Sequence, residues 1–201
     1  MSRGGVAVVP SFAVARSQEI LLVLRNTGYN IWYDGMGKKI CKLYLKHPQS
    51  LRSPEELKKA MNGTNFVHSD HGRKLALKAE VIITSSGMMD GGPILYYMNN
   101  LKDDRKSAVL LTGYQIEGTN SKLLMEKKKL EFYGVKVDVA CEVDYFDFSA
   151  HAGHSELIEF AKACKPEKIV LFHSDNRTPL VGPMQEFAQV FTPNNGEVVS
   201  L

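Results

Sequence analysis

The chain has 201 residues, 44% of them apolar and 23% charged, with a formal net charge of +3. That length carries one domain with a proper core or two small ones, and the composition excludes a disordered or fibrous chain. The mild basic excess suits a polyanionic partner but is far from a dedicated nucleic-acid arm, and no apolar run approaches the ~20 residues of a spanning helix.

In chain order the signals alternate strand and helix. VAVVP near the N-terminus reads as a buried strand and is too short for a signal sequence. SQEILLVLRNTG reads as a helix stopped at Gly28, and IWYDGMG as a strand running into a turn. Ser53, Pro54 and Glu56 predict a cap, a first-turn proline and a capping-box glutamate for PEELKKAMN. NFVHS, VIIT, AVLLTG and IVLFH are short apolar runs flanked by helical segments, the pattern of parallel strands covered on both faces. The fold class is therefore α/β with a Rossmann-like parallel sheet. From about residue 122 a basic stretch gives way to alternating residues, which predicts a hairpin or strand pair and a domain boundary near 125–140.

Cys41, Cys141 and Cys164 form no CxxC pair, and their odd number argues against a disulfide framework. Buried free thiols in a soluble cytoplasmic protein are expected.

Ligands of open parallel sheets bind beyond the carboxyl ends of the strands, and here several strands end in small or polar residues. Ser85, Ser86 and Gly87, with Gly91 and Gly92 before a helix starting near Pro93, offer hydroxyls and bare N–H groups to a phosphate. Thr112, Gly113 and Tyr114 add a hydroxyl and a stacking ring. The alternative is a set of tight turns whose serines cap a helix. Arg16 either grips a phosphate with its planar fork or pairs with Glu19 or Glu117.

Among six histidines, His47, His68, His71 and His154 sit in surface or capping contexts, whereas His151 and His173 each follow a strand-like run. An imidazole at a strand end serves as a metal ligand or as a general acid. A hydrolase triad of Ser86, His151 and Asp147 lacks the G-x-S-x-G elbow, and a mononucleotide-binding Rossmann domain lacks G-x-G-x-x-G and a P-loop.

VVPSFAVARSQEILLVL, YDGMG, VIITSSGMMDGGPILYYMNNL, AVLLTGYQIEGT, FDFSAHAGHSELIEF and IVLFHSD, in this order, resemble the β-CASP branch of metallo-β-lactamase-fold nucleases. The likeness is greatest to its cleavage and polyadenylation specificity factor members, endonucleases of RNA 3′-end processing. The resemblance implies a β-CASP domain over 1–125 and, over 126–201, the C-terminal part of a metallo-β-lactamase αββα domain. It makes His151 the motif B residue and general acid, and His173 the motif C ligand to a zinc ion. Arg16, Ser85, Ser86, Gly87, Thr112, Gly113 and Tyr114 would line the RNA cleft. A complete site would hold two zinc ions about 3.5–4 Å apart that activate water for attack on phosphorus.

The chain departs from the pattern in ways that matter. It contains no HxH, so the HxHxDH zinc ligands of the family are absent, as is the acidic residue of motif A. Ala15 and Ser17 stand where the family reads glycine and alanine, Gly153 where aspartate follows SAHA, and Ser174-Asp175 where HGE is usual. The resemblance thus implies part of a zinc-dependent ribonuclease, inactive alone, whose N-terminal lactamase half comes from another chain or segment. A non-catalytic RNA-binding or scaffold subunit is the alternative. A bare lactamase face also leads us to expect self-association into a homodimer.

Overall fold

VAVVP, VIIT and AVLLTG form the middle of one sheet and NFVHS its edge, whereas IVLFH belongs to a separate two-stranded sheet. The computed structural model describes residues 3–148, 151–174 and 176–200, and its contacts divide the chain into two compact units that meet in sequence between residues 149 and 150. In chain order the first unit contains β1 (Ala7–Pro10), α1 (Arg16–Leu24), β2 (Ile31–Asp34), α2 (Gly37–Leu45), α3 (Pro54–Asn62), β3 (Thr64–Phe66) and α4 (Asp70–Ala76). There follow β4 (Val81–Thr84), α5 (Pro93–Leu101), β5 (Ala108–Thr112), α6 (Asn120–Lys127), β6 (Lys129–Phe132), β7 (Val135–Asp138) and β8 (Glu142–Phe146). Six strands make a parallel sheet in the order β3-β2-β4-β1-β5-β8.

Successive strand residues point to opposite faces, and both faces are covered, which is why these runs are continuously apolar instead of alternating. On one face Val8, Ile82, Val109 and Leu111 pack with Ile94, Tyr97 and Met98 of α5, Leu124 of α6 and Leu130 of β6. On the other, Ala7, Val9, Ile31, Tyr33 and Ile83 pack with Ile20 and Leu21 of α1, Cys41 of α2, and Leu57 and Ala60 of α3. The neighbours Ile82 and Ile83 are both fully buried, each contributing about 1.5–3 kcal/mol of transfer free energy.

Local signals hold in part. Gly28 follows α1 with φ +75, and Pro54 occupies the first turn of α3. The predicted Ser53 cap does not form, because the Ser53 side chain makes no capping bond and Glu56 is drawn instead to Arg25 Nε at 2.7 Å and Lys59 Nζ at 2.9 Å. Two cations outcompete one backbone N–H for that carboxylate. Side-chain caps appear at Ser69 and Thr119 instead.

The change of texture after residue 122 resolves into two things. β6 and β7 form an antiparallel hairpin, while β8 joins the main sheet beside β5, with Ala108 opposite Glu142 and Thr112 opposite Phe146. Asn120 pins the hairpin: its side-chain amide donates to Met89 O (3.1 Å) and Glu131 O (2.9 Å) and accepts from Glu131 N–H (2.6 Å).

The second unit contains α7 (His154–Cys164), β9 (Lys168–Val170), α8 (Thr178–Gln185) and β10 (Gln189–Phe191), with β9 and β10 paired in parallel. Its interior is thin: among its described residues Met184 is the one buried apolar side chain, and Phe160 and Phe172 are mostly exposed. Cys41 and Cys141 are buried as expected, but Cys164 is exposed. Phe160, one turn earlier on α7, is exposed as well. Among the described residues no helix is long and apolar enough to cross a membrane.

Candidate nucleic-acid interface

Three strand ends meet at the carboxyl edge of the large sheet because β1 lies between β4 and β5. Past β1, Ser11 N–H donates to Thr84 O at 2.8 Å, tying the first loop to the end of β4. Phe12 then lies against Gly87, where an added β-carbon would sit 3.2 Å from Phe12 N and 3.3 Å from its ring. A side chain there would require Phe12 to give way by a few tenths of an ångström, so glycine suits this close approach of the β4 loop.

Val14, Ala15 and Arg16 form a tight three-residue turn. Arg16 N–H donates to Val14 O at 2.8 Å, and Ala15 has φ 64 and ψ −68. These are the angles of the strained γ-turn, which glycine tolerates and alanine resists. Ala15 is the position at which the β-CASP pattern reads glycine, so the structure supplies the reason for that expectation. The turn starts α1 at Arg16, whose side chain is only 15% exposed, is ion-paired with Glu19, and reaches to 4.0 Å from the β-carbon position of Gly113. Of the two carboxylates weighed from sequence, Glu19 is the partner, whereas Glu117 pairs with Lys122.

Ser85 and Ser86 do not cap α5 with their hydroxyls. Ser86 Oγ donates to Gly91 O (3.1 Å), the Ser85 carbonyl accepts from Ile94 N–H (3.1 Å), and Gly92, with φ 81, occupies the cap position. At the end of β5 the Thr112 hydroxyl and the Gln115 amide oxygen are buried without a hydrogen-bond partner among the described residues. Gly113 N–H donates to Phe146 O at 3.3 Å, and Tyr114 is 65% exposed with its ring available to a base. Arg16, Gly87, Thr112, Gly113 and the two serines are thus gathered on one edge, with Phe12 and Tyr114 as aromatic faces.

Sequence reasoning missed Phe12 and the β2 end. Asp34 is buried, accepts from Arg73 Nε at 2.7 Å and from the Tyr97 hydroxyl at 3.0 Å, and its carbonyl accepts from Ser85 N–H. Burial first, then the adjacent Asp34 charge, pushes the Tyr97 hydroxyl far above its ordinary range, while the Asp34 bond raises Arg73. A β-carbon on Gly35 would meet Ser85 Oγ at 2.3 Å. The signal for this packing was the DG pair after an apolar strand, which marks both a turn and a close approach.

In the second unit His151 and His173 are exposed, and His173 has φ 61. The loop carrying His173 is held by Arg177, whose guanidinium donates to Leu171 O (3.3 Å) and Pro193 O (2.6 Å). His154 bonds through Nε2 to Pro179 O at 3.0 Å, joining the starts of α7 and α8, and His47, His68 and His71 are exposed as expected. Of the SAHA segment, Ser149 and Ala150 lie outside the described residues, as does Asp175 beside the HSD motif. No group of three or more His, Cys, Asp or Glu side chains among the described residues converges to hold a metal ion. One exposed imidazole does not fit a zinc site, which needs three or four ligands.

A Beta-Casp domain model matches residues 17–124, and a Zn-dependent metallo-hydrolase RNA specificity domain model matches residues 136–180. The chain is 40% identical to RNase aCSPSF2 of Saccharolobus solfataricus, over 98% of its own length and 42% of the relative's. It is 34% identical to Probable RNase MJ4 of Methanocaldococcus jannaschii, over 99% and 49%. It is 28% identical to cleavage and polyadenylation specificity factor 73 of Drosophila melanogaster, over 87% and 28%. The chain thus spans half or less of the length of these curated relatives.

Proposed function

The chain belongs to the Beta-Casp family, and from that premise we propose that it is the RNA-holding part of a zinc-dependent ribonuclease of RNA 3′-end processing or decay, inactive by itself. The observation that carries this reading is the meeting of the β1, β4 and β5 ends, with the Arg16 guanidinium beside Gly113 and the Phe12 ring against Gly87. Arg16, Ser85, Ser86, Gly87, Thr112, Gly113 and Tyr114 bind the RNA, the arginine and bare amides taking phosphates and Tyr114 stacking on a base. His151 acts as general acid toward the leaving oxygen, and His173 donates one ligand to the metal. The matched segments support a division near residue 125 between β-CASP cassette and lactamase part.

Zinc is the metal named by the matched family, and it would polarise the phosphate and activate water. This chain's residues do not complete that site, so its remaining ligands come from a chain or segment carrying the N-terminal lactamase half. Phe160 and Phe172, exposed on the second unit, suit coverage by that half or by a second copy. The setting is the cytoplasm.

The missing ligand set also favours a second reading, a non-catalytic RNA-binding or scaffold subunit. Mixing this chain with the N-terminal half of RNase aCSPSF2, loading zinc and following cleavage of a labelled single-stranded RNA decides between them. Cleavage by the mixture alone, abolished by His151→Ala and accompanied by lower zinc content in His173→Ala, is the expected result. A mixture silent at full zinc occupancy sinks the ribonuclease reading and leaves the scaffold.

A further inference from the structure

Charge is unevenly distributed. Of the 25 cations and 22 anions that give +3 overall, residues 35–54 contain Lys38, Lys39, Lys42, Lys46 and Arg52 and no acid, leaving the rest of the chain at −2. Four of these five lie on α2 or directly after it. Lys39, Lys42 and Lys46 succeed one another at spacings of three and four, which puts them on one solvent-facing stripe, and all three are exposed. The opposite side of α2, with Cys41, is buried in the core.

This stripe is not explained by the stability of the helix. Like charges three and four apart on a helix repel, and cations in the first turn oppose the helix dipole. Lys42 and Lys46 sit where the dipole welcomes a cation, but Lys38 and Lys39 sit where it does not, and the first turn carries no acid. Among the described residues Lys39, Lys42 and Lys46 form no ion pair. Of the carboxylates on the helices packed against α2, Glu19 is engaged with Arg16 and Glu56 with Arg25 and Lys59, and Glu55 of α3 forms no ion pair with these lysines among the described residues. Lys38 is held over the Phe66 ring at 4.8 Å with its ammonium 2.8 Å from His68 Nε2, a neutralising partner for neither.

The stripe also has a definite start. α2 follows the end of β2 by a turn in which Gly35 abuts Ser85, the β-carbon position lying 2.3 Å from Ser85 Oγ. The turn that starts α2 therefore lies beside the loop assigned to RNA, and Lys39 to Lys46 run away from it along roughly 10 Å of helix.

Resting on the RNA-acting reading above, we propose that α2 is a second, sequence-independent contact for single-stranded RNA. In this role Lys39, Lys42 and Lys46 hold backbone phosphates outside the cleft and continue the path that starts at Ser85. A repulsive stripe without internal compensation becomes favourable once polyanion lies along it, and counterion release makes the contact depend on salt.

The test is fluorescence anisotropy of the intact chain with a labelled single-stranded RNA, from about 50 to 200 mM salt, for wild type, K39Q/K42Q/K46Q and K39R/K42R/K46R. All three positions are exposed, and circular dichroism checks that the variants keep the fold. Each lost phosphate contact lowers the slope of log K against log salt by about 0.7 for a single strand, so the glutamine variant should be shallower by about 2, with the arginine variant unchanged. Affinity at the low-salt end should fall at least about tenfold. An unchanged slope, or no RNA binding by wild type, overturns the proposal. An unchanged slope with an active reconstituted mixture removes only the helix track, whereas a silent mixture with a lysine-dependent slope removes only the ribonuclease reading.

Discussion

Replacing Asp34 with alanine probes how the floor of the candidate interface is held. The carboxylate takes the Arg73 Nε bond at 2.7 Å and the Tyr97 hydroxyl bond at 3.0 Å, with Tyr97 fully buried and Arg73 one-third exposed. Losing one partner of a fully buried ion pair costs about 3–5 kcal/mol. Arg73 can turn to water, so its share shrinks to about 1 kcal/mol, the value of a partly solvated pair. The Tyr97 hydroxyl cannot, and leaving it unpaired costs about 1–3 kcal/mol. Asp34→Ala should therefore destabilise the first unit by about 3 kcal/mol, and Tyr97→Phe, which leaves the Asp34–Arg73 pair intact, by about 1 kcal/mol. In the double variant no buried hydroxyl is left stranded, so it should be no less stable than Asp34→Ala alone. Urea titration followed by the fluorescence of Trp32, the single tryptophan of the chain, two residues before Asp34 on β2, should show a midpoint lowered by about 1 M or more for Asp34→Ala. An Asp34→Ala variant within about 1 kcal/mol of wild type, or strict additivity in the double, refutes this account.

Two further outcomes follow from geometry elsewhere. Ala15→Gly should relieve a turn strained by about 1–3 kcal/mol against about 0.4–1 kcal/mol of added unfolded-chain freedom, a net gain near 1 kcal/mol; a lowered urea midpoint would contradict it. In a thiol titration of the folded chain Cys164 should react first, with Cys41 and Cys141 protected until unfolding. Burial raises both buried thiols, Cys141 to about 11, above the unfolded value near 9. The stability tied to the neutral thiol is thus present below about pH 9 and declines toward pH 11. Three equal thiol rates, or a Cys141→Ala variant with the same alkaline loss as wild type, would count against this.

The parallel sheet was legible because its strands are continuous apolar runs between helical segments, and both faces are buried as that pattern requires. The loops assigned to RNA were legible as small polar residues at strand ends, and three of those ends do meet. What escaped was whatever depends on competition between partners. Glu56 matches a capping box letter for letter, yet Arg25, 31 positions away, takes it. β8 looked like part of a hairpin because its residues run from half-buried at Glu142 and Val143 to exposed at Asp144, Tyr145 and Phe146 on the edge of the sheet and so lack the apolar run that marked the inner strands. Phe12 is an ordinary residue in sequence and acquires meaning only from its place against Gly87, whereas the Asp34-Gly35 pair announced a turn without naming Ser85 as its neighbour.

The thin interior of the second unit, with Met184 the one buried apolar side chain among its described residues, bears on how long the protein lasts in a cell. Segments with few buried contacts open at little cost and open often, and proteases cut what is open. The lifetime of the whole polypeptide is then governed by its smaller part, and anything that covers that part raises abundance before it changes any chemistry.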